Sequence, residues 1–417
     1  MGLATGQPST PEYKRLTPQQ FRQVMQLQER YVNGRTGGRP ASLPHYDLTN
    51  LDFSGQDLSG ANFSGSKLQN CKLEGARLAD ANLFGADLRL ANLNRADFSK
   101  SDLRGACLRG ALLEEASFAG ADLRRGTLAR MATGDELALR PKATDATRVQ
   151  ARGADFTNAK LAGAILTSAD LRNATLSGAD LRNIDARKVD LTGAILERAD
   201  LTNAKLNDAI LRGAYLSKAV LTGAEMHGVD ISGAILEENA FASAIGVEGL
   251  TKPEIHKISD EALLEILHQH GVWVASNGRE GKRAVLSNTD LSRCDLKQVN
   301  LAMATLVFAQ LRGANLTGAM LAMADLSFAD LREANLTKAD LRGASLSHAH
   351  LGAAALSGAN LGPLERVGSG AQDLPANLEG AKFFDADLRK ANLTKARTQD
   401  AQFGGALVDD LDVIEVE

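Results

Sequence analysis

Carboxylate side chains recur at one place in the local pattern of this 417-residue chain, directly before a leucine. Two carboxylates that shared a pocket could act as general acid and general base. Here they recur along most of the sequence, so they cannot all converge on one site. We therefore expect them to accept hydrogen bonds from nearby backbone N–H groups where the chain turns. Examples are Asp87, Asp122, Asp170, Asp180, Asp200, Asp330 and Asp340.

Three histidines, His256, His268 and His270, lie near one another in the sequence, and Cys294 follows them. Zinc would need a convergent set of such ligands with tight spacing. His268 and His270 are two residues apart, so they would face different sides of a helix. We find no Ser/His/Asp set, phosphate-binding glycine loop or dinucleotide fingerprint. The sequence therefore predicts no catalytic residue, no metal and no cofactor, and a chain that is not an enzyme.

The elements that would position these residues are sequence repeats, each five residues long. Each repeat has a large apolar residue at its centre, a small residue two positions earlier and a polar residue between them, as in Ala86-Asp87-Leu88 and Ala96-Asp97-Phe98. A period of five fits neither a helix, at 3.6 residues per turn, nor a flat strand, at 2. The backbone must therefore turn a corner in every repeat, so that the centre and the small residue both point inward.

The five-residue frame continues over four stretches of the sequence. The centres run from Leu48 to Leu128, from Phe156 to Phe241, from Leu286 to Leu361, and from Leu378 to Val408. Internal repeats on this scale determine the architecture before any other feature does.

These residues resemble the pentapeptide-repeat family. The resemblance implies an all-β solenoid, a right-handed quadrilateral β-helix with four repeats per coil, in which residues 20 apart stack. Such a solenoid needs caps over its open apolar ends and unpaired strand edges. Cap signals precede both halves: Thr17 before a helix, and Ser259 before a second one. We expect Tyr31 and Trp273 to act as plugs against the first coil of each half.

The similarity of the two helix-containing segments predicts two tandem modules, each with an N-terminal helical cap. The predicted boundaries are a disordered tail at 1–15, a helical cap at 16–45, a repeat β-helix at 46–246 with a loop at 131–142, a helical linker and cap at 247–285, and a second repeat β-helix at 286–417 with a loop at 362–375.

Apolar residues at outward positions indicate candidate interaction surfaces, because such positions are usually polar in this chain. One set recurs at the stacking interval of 20: Ile195, Tyr215 and Ile235. A second set lies in the third stretch: Met303, Val307, Phe308, Met323 and Phe328. Methionine and aromatic residues are enriched at the cores of protein interfaces.

The net charge of −4 is close to neutral for this length. It argues against direct nucleic-acid binding, which needs a basic face. We predict a cytoplasmic scaffold that contacts a partner protein, or a second copy of itself, through the flat faces of the solenoid, with no membrane contact. One alternative is a DNA mimic that binds and protects a type II topoisomerase, as some members of the family do. A more remote one is an enzyme or metal protein that uses the helical inserts.

Overall fold

The computed structural model describes residues 13–131, 137–236, 243–247, 255–365 and 373–409, and only the backbone within 128–140. The chain divides into two compact units, Met1–Leu250 and Thr251–Glu417. In the first unit, strand β1 (Lys14–Arg15) pairs in parallel with β2 (Tyr46–Asp47). Helix α1 (Pro18–Val32) lies between them in the sequence.

The second unit begins in the same way as the first. A short strand, β5 (His256–Lys257), pairs in parallel with β6 (Thr289–Asp290), and helix α2 (Asp260–Ala275) lies between them. Each helix begins after a hydroxyl N-cap, Thr17 or Ser259, whose side chain accepts a backbone N–H three residues on.

Beyond the short strands, one residue of each repeat forms parallel β-bridges with the equivalent residues about 20 positions before and after it. Asn62, Asn82 and Asp102, for example, form one continuous line of bridges. The Leu83 N–H donates to the Asp102 carbonyl (2.8 Å), and the Asn82 N–H donates to the Ala61 carbonyl (2.9 Å). Four repeats therefore make one coil of a β-helical solenoid, and each coil hydrogen-bonds to the coils before and after it.

The core of each unit is a column of repeat centres and their small partners. Leu83, Leu88, Leu306 and Leu326 are all fully buried. Full burial of a leucine side chain contributes about 1.5–3 kcal/mol relative to exposure. The residue two positions after each centre, called here the corner position, commonly has a positive φ, which glycine and asparagine tolerate best. The chain turns at this position into the next repeat.

Two insertions leave the column at corners and return to it in register. In the first unit, β3 (Gly126–Met131) and β4 (Leu137–Lys142) form an antiparallel hairpin, and Cys107 then bridges to Asp145. The predicted loop at 131–142 thus contains a strand, and the coils are interrupted from Gly126, so Leu128 lies outside the frame. The coils resume before Phe156, with alanine centres that the leucine pattern does not reveal.

The predicted tail at 1–15 also differs from the structure at its end. Lys14 and Arg15 form β1, and the Arg15 guanidinium pairs with Asp47 at 3.0 Å. Residues 1–12, and the predicted centre Phe241, lie outside the described residues. The second predicted loop, 362–375, is described only at its ends, where Leu364 and Leu374 form an antiparallel bridge.

Helix α1 covers the first coil with an apolar face and one buried amide. Phe21, Val24 and Met25 pack against the core column. Gln28 is fully buried, and its Oε1 accepts the Ala41 N–H at 2.7 Å. Its Nε2 donates to the carbonyls of Asp57 and Ser59, at 3.1 and 3.0 Å. This single side chain thus satisfies three backbone groups at the open end of the solenoid.

His270 occupies the corresponding place in the second unit. Both residues lie ten positions after the first residue of their helix. His270 is fully buried, and its Nδ1 accepts the Ala284 N–H at 3.1 Å. Leu263 is buried in the same core cluster, and Ile266 packs against it.

The predicted plugs do not fill this role. Tyr31 is 45% exposed and its hydroxyl lies beside Gly60, at a corner of the coil and not over its core. Trp273 is half-buried and stacks on His270, with ring centroids 5.7 Å apart. Gln28 and His270 contact the first coil instead, since the end of a coil presents backbone polar groups that an aromatic ring cannot satisfy.

Replacing Gln28 by alanine should lower the free energy of unfolding by about 3 kcal/mol, because three buried backbone groups lose their partner. Urea unfolding followed by circular dichroism measures this loss. Gln23→Ala is the matched control, since Gln23 is exposed on the same helix. Equal stability of the two variants would contradict the role given to Gln28.

The stability of the second unit should decrease as the pH falls below about 6.5. Burial lowers the pKa of His270 below its ordinary value of 6.5; the Ala302 carbonyl opposes this shift and the charge of Arg283 adds to it. The unfolded chain therefore takes up a proton that the folded unit rejects. Urea unfolding at a series of pH values, followed by the fluorescence of Trp273, the single tryptophan, would measure the effect.

The matched variant is His270→Gln, which places the first unit's residue at this position. The difference in unfolding free energy between the variant and the wild type should grow as the pH falls. Contributions of all other groups are the same in both proteins and cancel in this difference. A difference that stays constant with pH would show that His270 does not produce the dependence.

Candidate interaction surface

The carboxylates before the repeat centres serve the local backbone, as the sequence predicted. Asp52 Oδ1 accepts the Ser54 N–H at 2.9 Å, and Asp97 Oδ1 accepts the Ser99 N–H at 2.9 Å. Each side chain thereby stabilises the turn that begins two residues later. The same arrangement recurs in many coils of both units.

Many of these aspartates also pair with an arginine two residues on. Asp340 accepts from Nε and Nη2 of Arg342 at 2.8 and 2.7 Å. The Arg342 guanidinium lowers the pKa of Asp340, and the Arg182 guanidinium lowers that of Asp180 in the same way. These carboxylates remain ionised at neutral pH, and their charge is matched within the same repeat.

The histidines that were weighed as zinc ligands differ in their exposure. His268 is exposed while His270 is buried, as their spacing on a helix requires. Within the described part of the chain, no group of three or more His, Cys, Asp or Glu side chains is placed to hold a metal ion. Neither helix of that part is long and apolar enough to cross a lipid bilayer.

An aromatic line runs along one corner of the second unit. Phe308, Phe328 and His348 occupy the corner position of three successive coils. The Phe308 and Phe328 ring centroids are 5.1 Å apart, and those of Phe328 and His348 are 4.9 Å apart. The rings cover one another, so Phe308 and Phe328 are half-buried instead of fully exposed.

Met303 and Met323 occupy the preceding corner, where they are 38% and 36% exposed. The face between the two corners carries Val307, which is half-buried, Ser327, whose Oγ lies 2.9 Å from that of Ser345, and the carboxylate of Asp325. The result is a flat strip bordered by methionines on one side and aromatic rings on the other. We call this strip and its borders the Met–Phe face.

Among the exposed apolar residues of the second unit that were not predicted, Val285 and Met320 lie on or next to the Met–Phe face. Val285 is 62% exposed and bridges to Thr305, so it extends the Met–Phe face toward α2. Met320 is 43% exposed on the preceding face. Both lie directly before a repeat centre, where the stacking interval alone does not reveal them because their neighbours in the line are polar.

The candidate surface of the first unit is less exposed than predicted. Ile195, Tyr215 and Ile235 do form one bridged line. However, Ile195 is only 5% exposed, because it is stacked between Thr175 and Tyr215. Tyr215 and Ile235 are half-buried. The prediction that Ile195 is exposed was therefore wrong.

Replacing both Met303 and Met323 by asparagine should leave the free energy of unfolding unchanged or raise it by up to about 1 kcal/mol. The φ angles of 62° and 59° are strained for methionine and tolerated by asparagine. Urea unfolding measures the difference. A loss of more than about 1 kcal/mol would mean that the methionines stabilise the fold by packing.

Comparisons with known proteins agree with this geometry. The model of pentapeptide repeats matches eight segments: 45–75, 76–114, 147–185, 169–208, 199–237, 282–318, 324–362 and 376–407. No curated protein gives a significant match.

Several solved structures of repeat proteins are similar to this chain. HetL, a pentapeptide repeat protein involved in heterocyst differentiation regulation from the cyanobacterium Nostoc sp. strain PCC 7120, is 23% identical over 92% of this chain and 95% of its own, with a TM-score of 0.18. Rfr23 from the cyanobacterium Cyanothece 51142 is 27% identical over 34% and 90%, with a TM-score of 0.22. QnrB1, a plasmid-mediated fluoroquinolone resistance protein, is 17% identical over 50% and 95%, with a TM-score of 0.29.

At these TM-scores the superpositions add little, and the repeat matches decide the assignment. Those matches cover more than half of the chain and fall on the bridged coils of both units. This chain belongs to the pentapeptide-repeat family.

Proposed function

We propose that this protein is a non-enzymatic scaffold that binds a partner protein through the Met–Phe face of its second unit. The observation that carries the proposal is the line of Phe308, Phe328 and His348 at corner positions. At one other corner of the same unit, the equivalent positions hold lysine or glycine, as in Lys338, Gly358 and Lys390.

Nothing in the fold requires aromatic residues at these corners. A ring at positive φ is strained, and glycine or asparagine would form the same turn with less strain. The rings nevertheless occur in successive coils and are bordered by two exposed methionines. Aromatic and methionine side chains on a rigid surface can bury much area against a partner with little loss of conformational freedom.

The architecture that we infer for this role is a right-handed quadrilateral β-helix in two tandem modules, each with an N-terminal helical cap. The 20-residue register supports four repeats per coil. The equivalent placement of Gln28 against Ala41 and of His270 against Ala284 supports two related modules. The rigid coils would hold the Met–Phe face in one shape before and after binding.

The DNA-mimic alternative has less support. It would require a continuous acidic face, since DNA presents unbroken negative charge. Many carboxylates in this chain are paired with arginine in their own repeat, as in Asp102 with Arg104 and Asp387 with Arg389. In such repeats a positive charge lies beside each carboxylate, so these carboxylates do not form a face of unbroken negative charge.

Photo-crosslinking in the native cell tests the proposed surface. Benzoylphenylalanine in place of Phe308 should form a crosslinked complex of defined mass with a partner protein or with a second copy. The same residue in place of Lys338 is the matched control, because Lys338 has the same backbone conformation at another corner of the same unit.

The double variant Phe308→Asn with Phe328→Asn should weaken binding of the crosslinked partner at least about tenfold, as expected for loss of two central aromatic contacts. Binding is measured with the purified partner, and circular dichroism confirms folding. Crosslinks of equal yield from both positions, or unchanged affinity of the double variant, would refute the proposed surface.

A further inference from the structure

A basic depression of about 410 Å³ lies on one face of the first unit. Its lining comes from outward positions of four successive coils and includes Arg89, Arg109 and Arg148. Leu90, Gly110 and Arg148 are corner positions of three successive coils. Because Gly110 has no side chain, it leaves the depression between the other two. A Cβ built on Gly110 would lie 3.0 Å from Cδ2 of Leu90.

The depression has three guanidinium groups but only two carboxylates paired with them among the described residues. Arg89 pairs with Asp87 (Nη2 to Oδ2, 2.7 Å), and Arg109 pairs with Asp145 (Nη2 to Oδ2, 2.5 Å). Arg148 is exposed and forms no ion pair with any residue that the structure describes. Gln69 and Asn70, which complete the lining, are uncharged.

The neighbouring line of residues adds no negative charge. Past the corner, the residues before the next centres in these coils are Lys72, Asn92, Leu112 and Gln150. The depression therefore keeps an excess of positive charge. Guanidinium groups present N–H donors in a planar fork that fits carboxylate oxygens.

Leu90 places an apolar side chain at the edge of this basic site. It is 65% exposed, and its φ is 58°. Among the corner positions of positive φ described in the first unit, it is the one with an aliphatic side chain; the others are glycine, polar or charged. Neither the backbone conformation nor burial favours a leucine at this position. A role in binding would account for it.

We propose that this depression, the Gly110 notch, binds an acidic segment of a partner protein, with carboxylates on Arg109 and Arg148 and an apolar side chain on Leu90. The carboxylates would take the guanidinium of Arg148 and the N–H groups of Arg109 that Asp145 leaves free. The adjoining apolar contact distinguishes an acidic peptide from a bare anion, which has nothing to place against Leu90. This inference deepens the proposed scaffold role, but it concerns the other unit and other residues.

The probe is a fluorescein-labelled peptide of alternating glutamate and leucine, titrated with the full chain at low ionic strength and followed by fluorescence anisotropy. Arg109→Gln with Arg148→Gln should weaken binding at least about tenfold, because both charge-assisted contacts are lost. Leu90→Asn should weaken it about fivefold while leaving the fold intact, since asparagine suits the positive φ. Added salt should weaken it as well.

Arg182→Gln is the matched control, because Arg182 is a similarly exposed arginine paired with an aspartate on another face. A second control peptide has glutamine in place of glutamate. Unchanged binding by the double arginine variant, or equal binding of the glutamine peptide, would overturn the proposal. Displacement by inorganic phosphate with no effect of Leu90→Asn would identify a simple anion site and overturn it too, as would tighter binding of duplex DNA than of the peptide. None of these results bears on the Met–Phe face, so the two proposals fail separately.

Discussion

Every coil of this protein depends on hydrogen bonds that it cannot make by itself. The N–H group of each repeat centre finds its acceptor in the next coil, as Leu83 does with Asp102, and the residue before it donates to the previous coil. A coil at the end of the column therefore leaves a row of donors and acceptors facing outward. At the start of each unit, a helix carries one buried polar side chain to that row, Gln28 in one case and His270 in the other. Each helix thus supplies a hydrogen-bond partner to the end of the ladder, and its apolar side chains pack against the core beside it.

The same ladder separates the inside of the molecule from its outside. The centres and their alanine partners are buried in the core. Only three positions of each repeat therefore face the solvent: the residue before the centre and the two residues after it. Those positions stack at a fixed interval, so identical charges would repel along a line unless something compensated them. The pairing of Asp340 with Arg342 provides compensation within one repeat. Phe308, Phe328 and Leu90 depart from this polar background, and the two proposed binding surfaces rest on them.

Much of this arrangement could be predicted from the sequence, because the five-residue period identifies which residues lie inward. The period could not predict how exposed an outward residue is, because that depends on the residues stacked 20 positions before and after it. Ile195 is covered by such neighbours and not by anything in its own repeat. It also could not identify Gln28 or His270, whose polar side chains are unremarkable in an isolated helix. Aligning the two helices on their N-caps would have placed these residues at the same position, opposite Ala41 and Ala284. The hairpin β3–β4 was missed because its first strand continues the spacing of the leucines.

The return of the chain to register after each insertion has a consequence for how the molecule can change. Cys107 bridges to Asp145, and Ser345 bridges to Asn377, although extra residues separate each pair. The coil before each insertion still finds its acceptors in the coil after it: Leu108 donates to Asp145, and Leu346 donates to Asn377, both at 2.7 Å. A corner can thus accommodate extra residues, because the coils on either side keep their backbone pairing. A segment inserted at a corner therefore leaves the hydrogen bonds of the buried column intact.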